Sequence, residues 1–339
     1  MAGRISRAAG ADPWKAGRVR PASRLRFCGL ALLWGSNFLF IKVALDGLSP
    51  AQIVLGRMVL GAVVLLAVVA LRREPLPRRP GMWAHLVLMA TLANLVPYFL
   101  FGYGEQRITS SLAGVLNATT PLFTLVIAAT SGSGERLTAT RAGGLALGFG
   151  GVLVLVAPWR DGSLSGELPG QLACLGAAVC YAVSFVWTRR FLTGRGYPPM
   201  ALAAAQLGAS VVLLGLVSPL IVRDPVSLTP AVTASILALG VLGTSAAYLL
   251  YYRLIADEGA TTTSTVLYFL PVVAVVLGVL VLGEPLGWNL FVGTAVVLTG
   301  VALSEGRLGR RAGGRGGPGP GEPDPAGVRA GTPPDPHVG

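Results

Sequence analysis

Residues 50–71 read PAQIVLGRMVLGAVVLLAVVAL, a run of twenty-two residues in which Arg57 is the one charge. Coiled as a helix at about 1.5 Å per residue, such a run reaches across the roughly 30 Å of hydrocarbon in a bilayer. Nine more apolar stretches flank it, at 27–45, 82–103, 108–130, 142–159, 168–188, 199–222, 230–252, 259–282 and 286–304. The loops left between them hold three to eleven residues, too few for a soluble domain, so any activity has to be built from the spans themselves. Lipid offers backbone groups no hydrogen-bond partner, and the runs lack the alternation of a barrel strand. The expected fold is therefore an all-α integral membrane protein of ten transmembrane helices.

Composition agrees. The chain has 339 residues, 53% of them hydrophobic and 12% charged, about half the charge of an ordinary soluble domain. Of the 42 charged residues, 17 lie in the two ends, 1–26 and 305–339. The net charge of +12 is read by location, as topology and not as a nucleic-acid footprint. Seven Lys and Arg precede Phe27, which holds the N-terminus in the cytoplasm, and ten spans return the C-terminus to the same side. On this orientation Asp46 and Asp161 lie outside. The first span keeps Trp34, Asn37 and Lys42 and lacks a small-residue cleavage site, so it reads as a retained helix and not as a secretory signal. From Ala312 onward 16 of 28 residues are Gly or Pro, a disordered tail by composition. Three cysteines (Cys28, Cys174, Cys180) in apolar stretches and two histidines give no disulfide framework, redox pair or metal site.

Positions recur at an offset of 147 to 150. Trp34, Asn37, Phe38 and Lys42 match Tyr181, Ser184, Phe185 and Arg189; Pro50 and Arg57 match Pro199 and Gln206; Asn94, Tyr98 and Pro121 match Thr244, Tyr248 and Pro271. After a one-residue slip, Gly134-Glu135-x-Leu137 matches Gly283-Glu284-x-Leu286. Each half then holds five spans, an odd number, so the second half enters the membrane from the opposite side. That is an inverted repeat, 27–159 and 168–304, flanked by a basic segment 1–26 and the tail 305–339.

The runs LLWGSNFLFIKVAL (32–45), SPAQIVLGRMVLGAVVL (49–65), NATTPLF (117–123) and GERLTATRAGGLALGFGG (134–151) resemble the EamA-type repeat of the drug/metabolite transporter superfamily. CYAVSFVWTRR (180–190), LPVV (270–273) and GEPLGWNLFVGTAVVLTG (283–300) look like its second copy. The resemblance implies a ten-helix bundle around a central cavity, both termini cytoplasmic, often exporting amino acids or other small metabolites. The copies differ where Gln206 stands for Arg57 and Ala182 for Gly35.

The candidate substrate-binding residues are Trp34, Asn37, Arg57, Asn94, Tyr98, Asn117, Tyr181, Gln206, Tyr248 and Tyr268. An Arg near the middle of a span costs about 2.5–3.5 kcal/mol even on insertion scales, so something compensates Arg57: a carboxylate in a cavity, or helix carbonyls and a snorkelled path to the interface. Thr91, Asn94 and Tyr98 share a helical face, as do Ser110, Asn117, Thr120 and Thr124; Thr261, Ser264 and Tyr268 use another phase. Such stripes line a cavity or bond helix to helix. Lys42, three residues from its helix end, reads as an interfacial snorkeller. Pro121 and Pro271, with Pro97 and Pro219, remove internal helix bonds and are candidate kinks. Glu135 and Glu284 follow the fourth and ninth spans, placed to latch opposite gates or simply to cap the next helix. Gly143, Gly144, Gly148, Gly150, Gly151, Gly293 and Gly300 read as close-packing surface.

No phosphate-binding loop, HExxH or GxSxG occurs, which points away from an ATPase or a membrane enzyme and calls for no cofactor. The partners expected are a small-molecule substrate and the lipid bilayer, with no nucleic acid; a homodimer is compatible with the spans but nothing in them requires it. The leading expectation is a secondary transporter of a small polar metabolite in the cell membrane, an exporter by resemblance. An uptake carrier of the same fold and a non-transporting membrane subunit are the alternatives. With no Asp or Glu inside the ten spans, the sequence favours facilitated diffusion or exchange without obligatory ion coupling.

Overall fold

A computed structural model describes residues 21–131, 137–157 and 166–305. Among the described residues every regular element is helical. In chain order the α-helices are α1 (Pro21–Gly35), α2 (Asn37–Ala44), α3 (Pro50–Leu71), α4 (Pro80–Met89), α5 (Val96–Glu105), α6 (Ser110–Asn117), α7 (Thr120–Thr130), α8 (Ala139–Val156), α9 (Leu168–Phe191), α10 (Pro199–Ile221), α11 (Pro230–Leu237), α12 (Ala247–Ser264), α13 (Leu270–Leu282) and α14 (Trp288–Ser304). Nine stretches among the described residues are long and apolar enough to cross a membrane, from Pro21–Ala44 to Thr262–Leu282. A shorter apolar helix, Trp288–Ser304, follows them.

Proline punctuates this chain. It stands at the first or second position of α3, α4, α9, α10 and α11, where its missing N–H would have had no partner and its fixed φ suits a helix start. Side chains complete several starts: Gln52 Oε1 accepts from the backbone N–H of Ser49 at 2.8 Å, and Thr109, Thr138 and Thr229 accept from Leu112, Arg141 and Val232.

Four of the stretches are interrupted at related places. Pro121 and Pro271 open α7 and α13, splitting the fourth stretch after Asn117 and the ninth at a 3₁₀ turn, Thr265–Tyr268. The third and eighth stretches each carry a π-helical segment, Ala90–Leu95 and Ala238–Ala246. Pro97 follows the first and accounts for it. The second has no proline beside it; there hydroxyls take loosened carbonyls, Thr244 donating to Leu239 O at 2.9 Å and Ser245 Oγ to Gly240 O at 3.4 Å, while Ser245 Oγ also reaches Gly61 O of α3 at 2.9 Å. Pro219 lies inside α10.

Helices that the sequence repeat relates pack on one another. α3 lies along α10 through Val54, Met58, Ala62 and Leu65 against Ala201, Ala204 and Leu207. α8 lies along α14, and there Gly144, Gly148, Gly151, Gly293 and Gly300 leave no room for a side chain: a Cβ at Gly151 would sit 2.7 Å from Val297 N. The expectation of a glycine-lined contact is met, with Gly143 and Gly150 on open faces.

Candidate functional site

Arg57 sits in the second turn of α3, 3% exposed, wedged between two elements of the bundle. Its Nε–H donates to Thr244 Oγ1 at 3.0 Å, and its guanidinium carbon lies 3.9 Å from the centre of the Tyr98 ring. Tyr181 and Tyr248 stand within electrostatic reach of both groups. Among the described residues no carboxylate pairs with Arg57, and its terminal nitrogens make no further hydrogen bond. The π-helical segment of the eighth stretch turns Thr244 onto the guanidinium, and the loosened turn before Pro97 does the same for Tyr98.

Gln206, the counterpart of Arg57, makes the counterpart contact. Its amide nitrogen donates to Asn94 Oδ1 at 3.2 Å, Asn94 Nδ2 donates to Ser210 Oγ at 3.0 Å, and Ser210 Oγ donates to Gln206 O at 3.0 Å. Arg57 thus reaches Thr244 while Gln206 reaches Asn94, each from the second stretch of one half to the third of the other. The aromatic residues follow the same rule. Tyr181 packs on Phe101 with ring centres 6.1 Å apart and on Tyr98 at 6.5 Å; Trp34, which matches Tyr181, packs on Tyr251 at 5.3 Å. Tyr248 stacks on Tyr252 at 6.0 Å. Asn37 is buried with its Oδ1 unpartnered, against Gly243 in the second π-helical segment.

Seven of the ten substrate candidates therefore gather where the two halves meet: Arg57, Asn94, Tyr98, Tyr181, Gln206 and Tyr248, with Asn37 beside Gly243. Three do not. Trp34 lies one layer out, on Tyr251. Asn117 ends α6 at the break before Pro121, where Thr120 Oγ1 donates to its carbonyl at 2.7 Å, so the stripe Ser110, Asn117, Thr120, Thr124 is no single face. Tyr268 donates its hydroxyl to Glu305 at 2.7 Å, at the start of the tail. Thr91 also leaves its stripe, because the π-helical turn shifts the phase and its hydroxyl folds back to Val87 O. Ser210, Ser245 and Tyr252 join the site unforeseen. Ser210 and Tyr252 were readable as one turn beyond Gln206 and Tyr248; Ser245 was not, since only the π-helical register aims it at Gly61.

A second polar cluster lies at the end of the bundle where α5 stops and α6 starts. Glu284 accepts from the backbone N–H groups of Ser110 (2.7 Å) and Ser111 (3.0 Å) and from the Ser111 hydroxyl (2.5 Å). The expectation that it caps the next helix is corrected: it caps α6, across the repeat, because Gly283 in the left-handed region (φ 65°) turns the chain back over α13. Gly278 provides the space, since a methyl there would land on both the carboxylate and the Ser111 hydroxyl. Its counterpart Glu135 lies outside the described residues. Lys42 gives its ammonium to the carbonyls of Glu105 and Ile108 and so closes the end of α5, where a headgroup contact was expected. Glu105, placed by sequence beyond the third span, is the last residue of α5 and is fully buried. Among the described residues no group of three His, Cys, Asp or Glu is placed to hold a metal.

The EamA-like transporter family model matches the chain twice, over residues 25–157 and 168–305. A protein of Streptantibioticus cattleyicolor described as "Probable terminal-alkyne amino-acid exporter" is 29% identical over 280 residues, covering 82% of this chain and 92% of that protein. An uncharacterized inner membrane transporter of Escherichia coli K12, YedA, is 30% identical over 279 residues, covering 81% and 87%. One solved crystal structure overlays with a TM-score of 0.61 at 22% identity, over 87% of this chain and all of its own; that likeness is one of fold.

Proposed function

This chain belongs to the EamA-like transporter family, and from that premise we propose that it is a secondary carrier exporting a small carboxylate-bearing metabolite, an amino acid or similar compound, by alternating access. It is a multi-pass membrane protein of the same family as named transporters. In the proposed arrangement α14 is a tenth crossing, its 17 residues reaching about 26 Å, so that 27–159 and 168–304 are inverted five-helix repeats between a cytoplasmic segment 1–26 and tail 305–339. The two family matches and the exchange-related contacts of Arg57 and Gln206 support this reading.

Arg57 is the observation that carries it. A buried guanidinium without an acid is costly in a membrane, and the Tyr98 face, worth about 0.5–2 kcal/mol, with one hydrogen bond offsets only part of that cost. A carboxylate on the free terminal nitrogens would complete it, and a bidentate pair would also orient the substrate. The exporter name of the Streptantibioticus relative supports both the outward direction and the amino-acid class. Pro121, Pro271 and the two π-helical segments are the proposed flexing points, because each already breaks a span.

The test is counterflow of radiolabelled amino acids in proteoliposomes. Arg57→Gln copies the residue the other half uses at the same place, so the protein is expected to insert and fold while carboxylate flux falls at least tenfold. Unchanged flux in Arg57→Gln would assign Arg57 to structure and sink the carboxylate reading.

A further inference from the structure

The cluster at the α5–α6 turn holds more charge than the Glu284 cap uses. Glu105 is 0% exposed, and neither oxygen of its carboxyl group has a hydrogen-bond partner. The charged groups acting on it are Lys42 from α2 and Glu284 from the turn after α13. α9 presents the Cys174 thiol, and Gln171 Oε1 in the first turn of α9 is likewise buried and unpartnered. α6 presents Ser110, whose hydroxyl has no partner either, and Ser111. α3 meets α5 through Pro50 against Gly102, and Arg57, its one charge, lies two turns deeper. The first π-helical segment contributes nothing titratable. Arg107, within the turn, lies on the Tyr103 ring instead.

Two carboxyls and one ammonium share this sealed end. Glu284 has its anionic charge satisfied by two backbone N–H groups, a hydroxyl and the N-terminus of α6. Lys42 attracts Glu105 from a distance but gives its hydrogen bonds to the backbone carbonyls of Glu105 and Ile108, which leaves the Glu105 carboxyl with no donor at all. Sealing a bare carboxylate away from water is costly, and most of that cost is lifted if the group carries a proton.

We propose that Glu105 is a proton-binding site, and that the proton it holds is what allows the Glu284–Ser111 contact to close this end of the carrier. On the orientation proposed above this is the outer end, and the inference rests on that alternating-access reading. No bond forms or breaks beyond the proton: a carboxylic acid in the closed state becomes a carboxylate and a hydrated proton when the contact opens and outer water reaches Glu105. The closed state binds one proton more than the open one, so acid on the outer side favours closure. Raising outer pH favours opening by up to about tenfold per pH unit while the group titrates. The device differs from ion coupling, since the proton enters and leaves at the same end.

Cys174 supplies the reporter. Its side chain is buried beside Gly104, whose Cβ, if present, would lie 2.5 Å from the sulfur, so it becomes reachable from outside only when this end opens. In the full chain carrying Cys28→Ser and Cys180→Ser, a membrane-impermeant maleimide is applied to intact cells between pH 5.5 and 8. Each rate is divided by the rate for the same protein denatured, which removes the pH dependence of an exposed thiol. The corrected rate is expected to rise several-fold across that range and to be low and flat in Glu105→Gln, which mimics the protonated acid. Glu284→Gln, which weakens the cap, should label faster at every pH. A flat corrected rate in the parent, or an equal slope in Glu105→Gln, overturns the proposal; the parent measurement stands even if Glu105→Gln does not fold. Labelling needs no substrate, so a pH response without any flux would remove the transport reading and leave this one.

Discussion

Replacing Tyr98 tests how the buried cation is held. The ring face lies 3.9 Å from the Arg57 guanidinium carbon, inside the range where a desolvated cation–π contact is worth about 1–2 kcal/mol. Tyr98→Leu removes the π face while keeping apolar bulk. If the ring holds the guanidinium ready for a carboxylate, that loss converts to a roughly 5- to 30-fold rise in the substrate concentration for half-maximal flux. Tyr98→Phe keeps the face and drops the hydroxyl, and should cost less than about threefold. The assay is initial-rate exchange of a labelled amino acid in proteoliposomes, with insertion checked by size-exclusion profile in detergent. Tyr98→Phe as damaging as Tyr98→Leu would move the role to the hydroxyl. A silent Tyr98→Leu would show that Thr244 alone fixes Arg57, and the reasoning from the ring would fail.

Two further outcomes follow from contacts elsewhere in the bundle. Gly278→Ala places a methyl on Glu284 and Ser111, so the cap should be displaced and Cys174 should label at least threefold faster from outside, measured as above; an unchanged rate would deny the cap any part in closure. A single cysteine at Asp46, in the α2–α3 turn, should react with an impermeant thiol reagent on intact cells, and one at Arg78, before α4, should react only after permeabilisation. The reverse pattern would overturn both the orientation and the inverted repeat built on it.

The spans were legible because hydrocarbon imposes a length and an absence of charge that composition alone reveals. The site was legible in part. Arg57, Asn94, Tyr98, Gln206 and Tyr248 announce themselves as polar groups on apolar helices, and the repeat offset tied them into counterparts before any coordinates did. What the sequence did not carry was register. A helical wheel at 3.6 residues per turn put Thr91 with Asn94 and Tyr98, but the π-helical turn over Ala90–Leu95 separates them. A wheel also put Ser110 with Asn117 and Thr120, although the chain breaks after Asn117 and Ser110 serves Glu284 at the far end. The same blind spot hid Glu105, because two residues of helix beyond the last apolar run decide whether a carboxylate meets water or is sealed.

On the alternating-access reading proposed above, the difference between the halves bears on how one site would serve both faces of a membrane. Were Arg57 matched by a second arginine at 206, the apolar spans would carry two cations where the first already lacks an acid among the described residues. With Gln206 there, the neutral position closes a network through Ser210 and through Asn94 of the other half, and asks nothing of a substrate. The charged half leaves its terminal nitrogens open. A single cation at the junction of two similar halves can face either side as the halves rock, while its partners Tyr98 and Thr244, one from each half, travel with opposite walls. In that arrangement the repeat supplies the two states and its broken symmetry supplies the binding charge. Restoring symmetry with Gln206→Arg should therefore leave the bundle with a buried charge it cannot satisfy, and a fall in membrane-inserted yield beyond that of Gln206→Leu is the expected result. Equal yields for the two variants would show that position 206 is open to water and would remove the argument from broken symmetry.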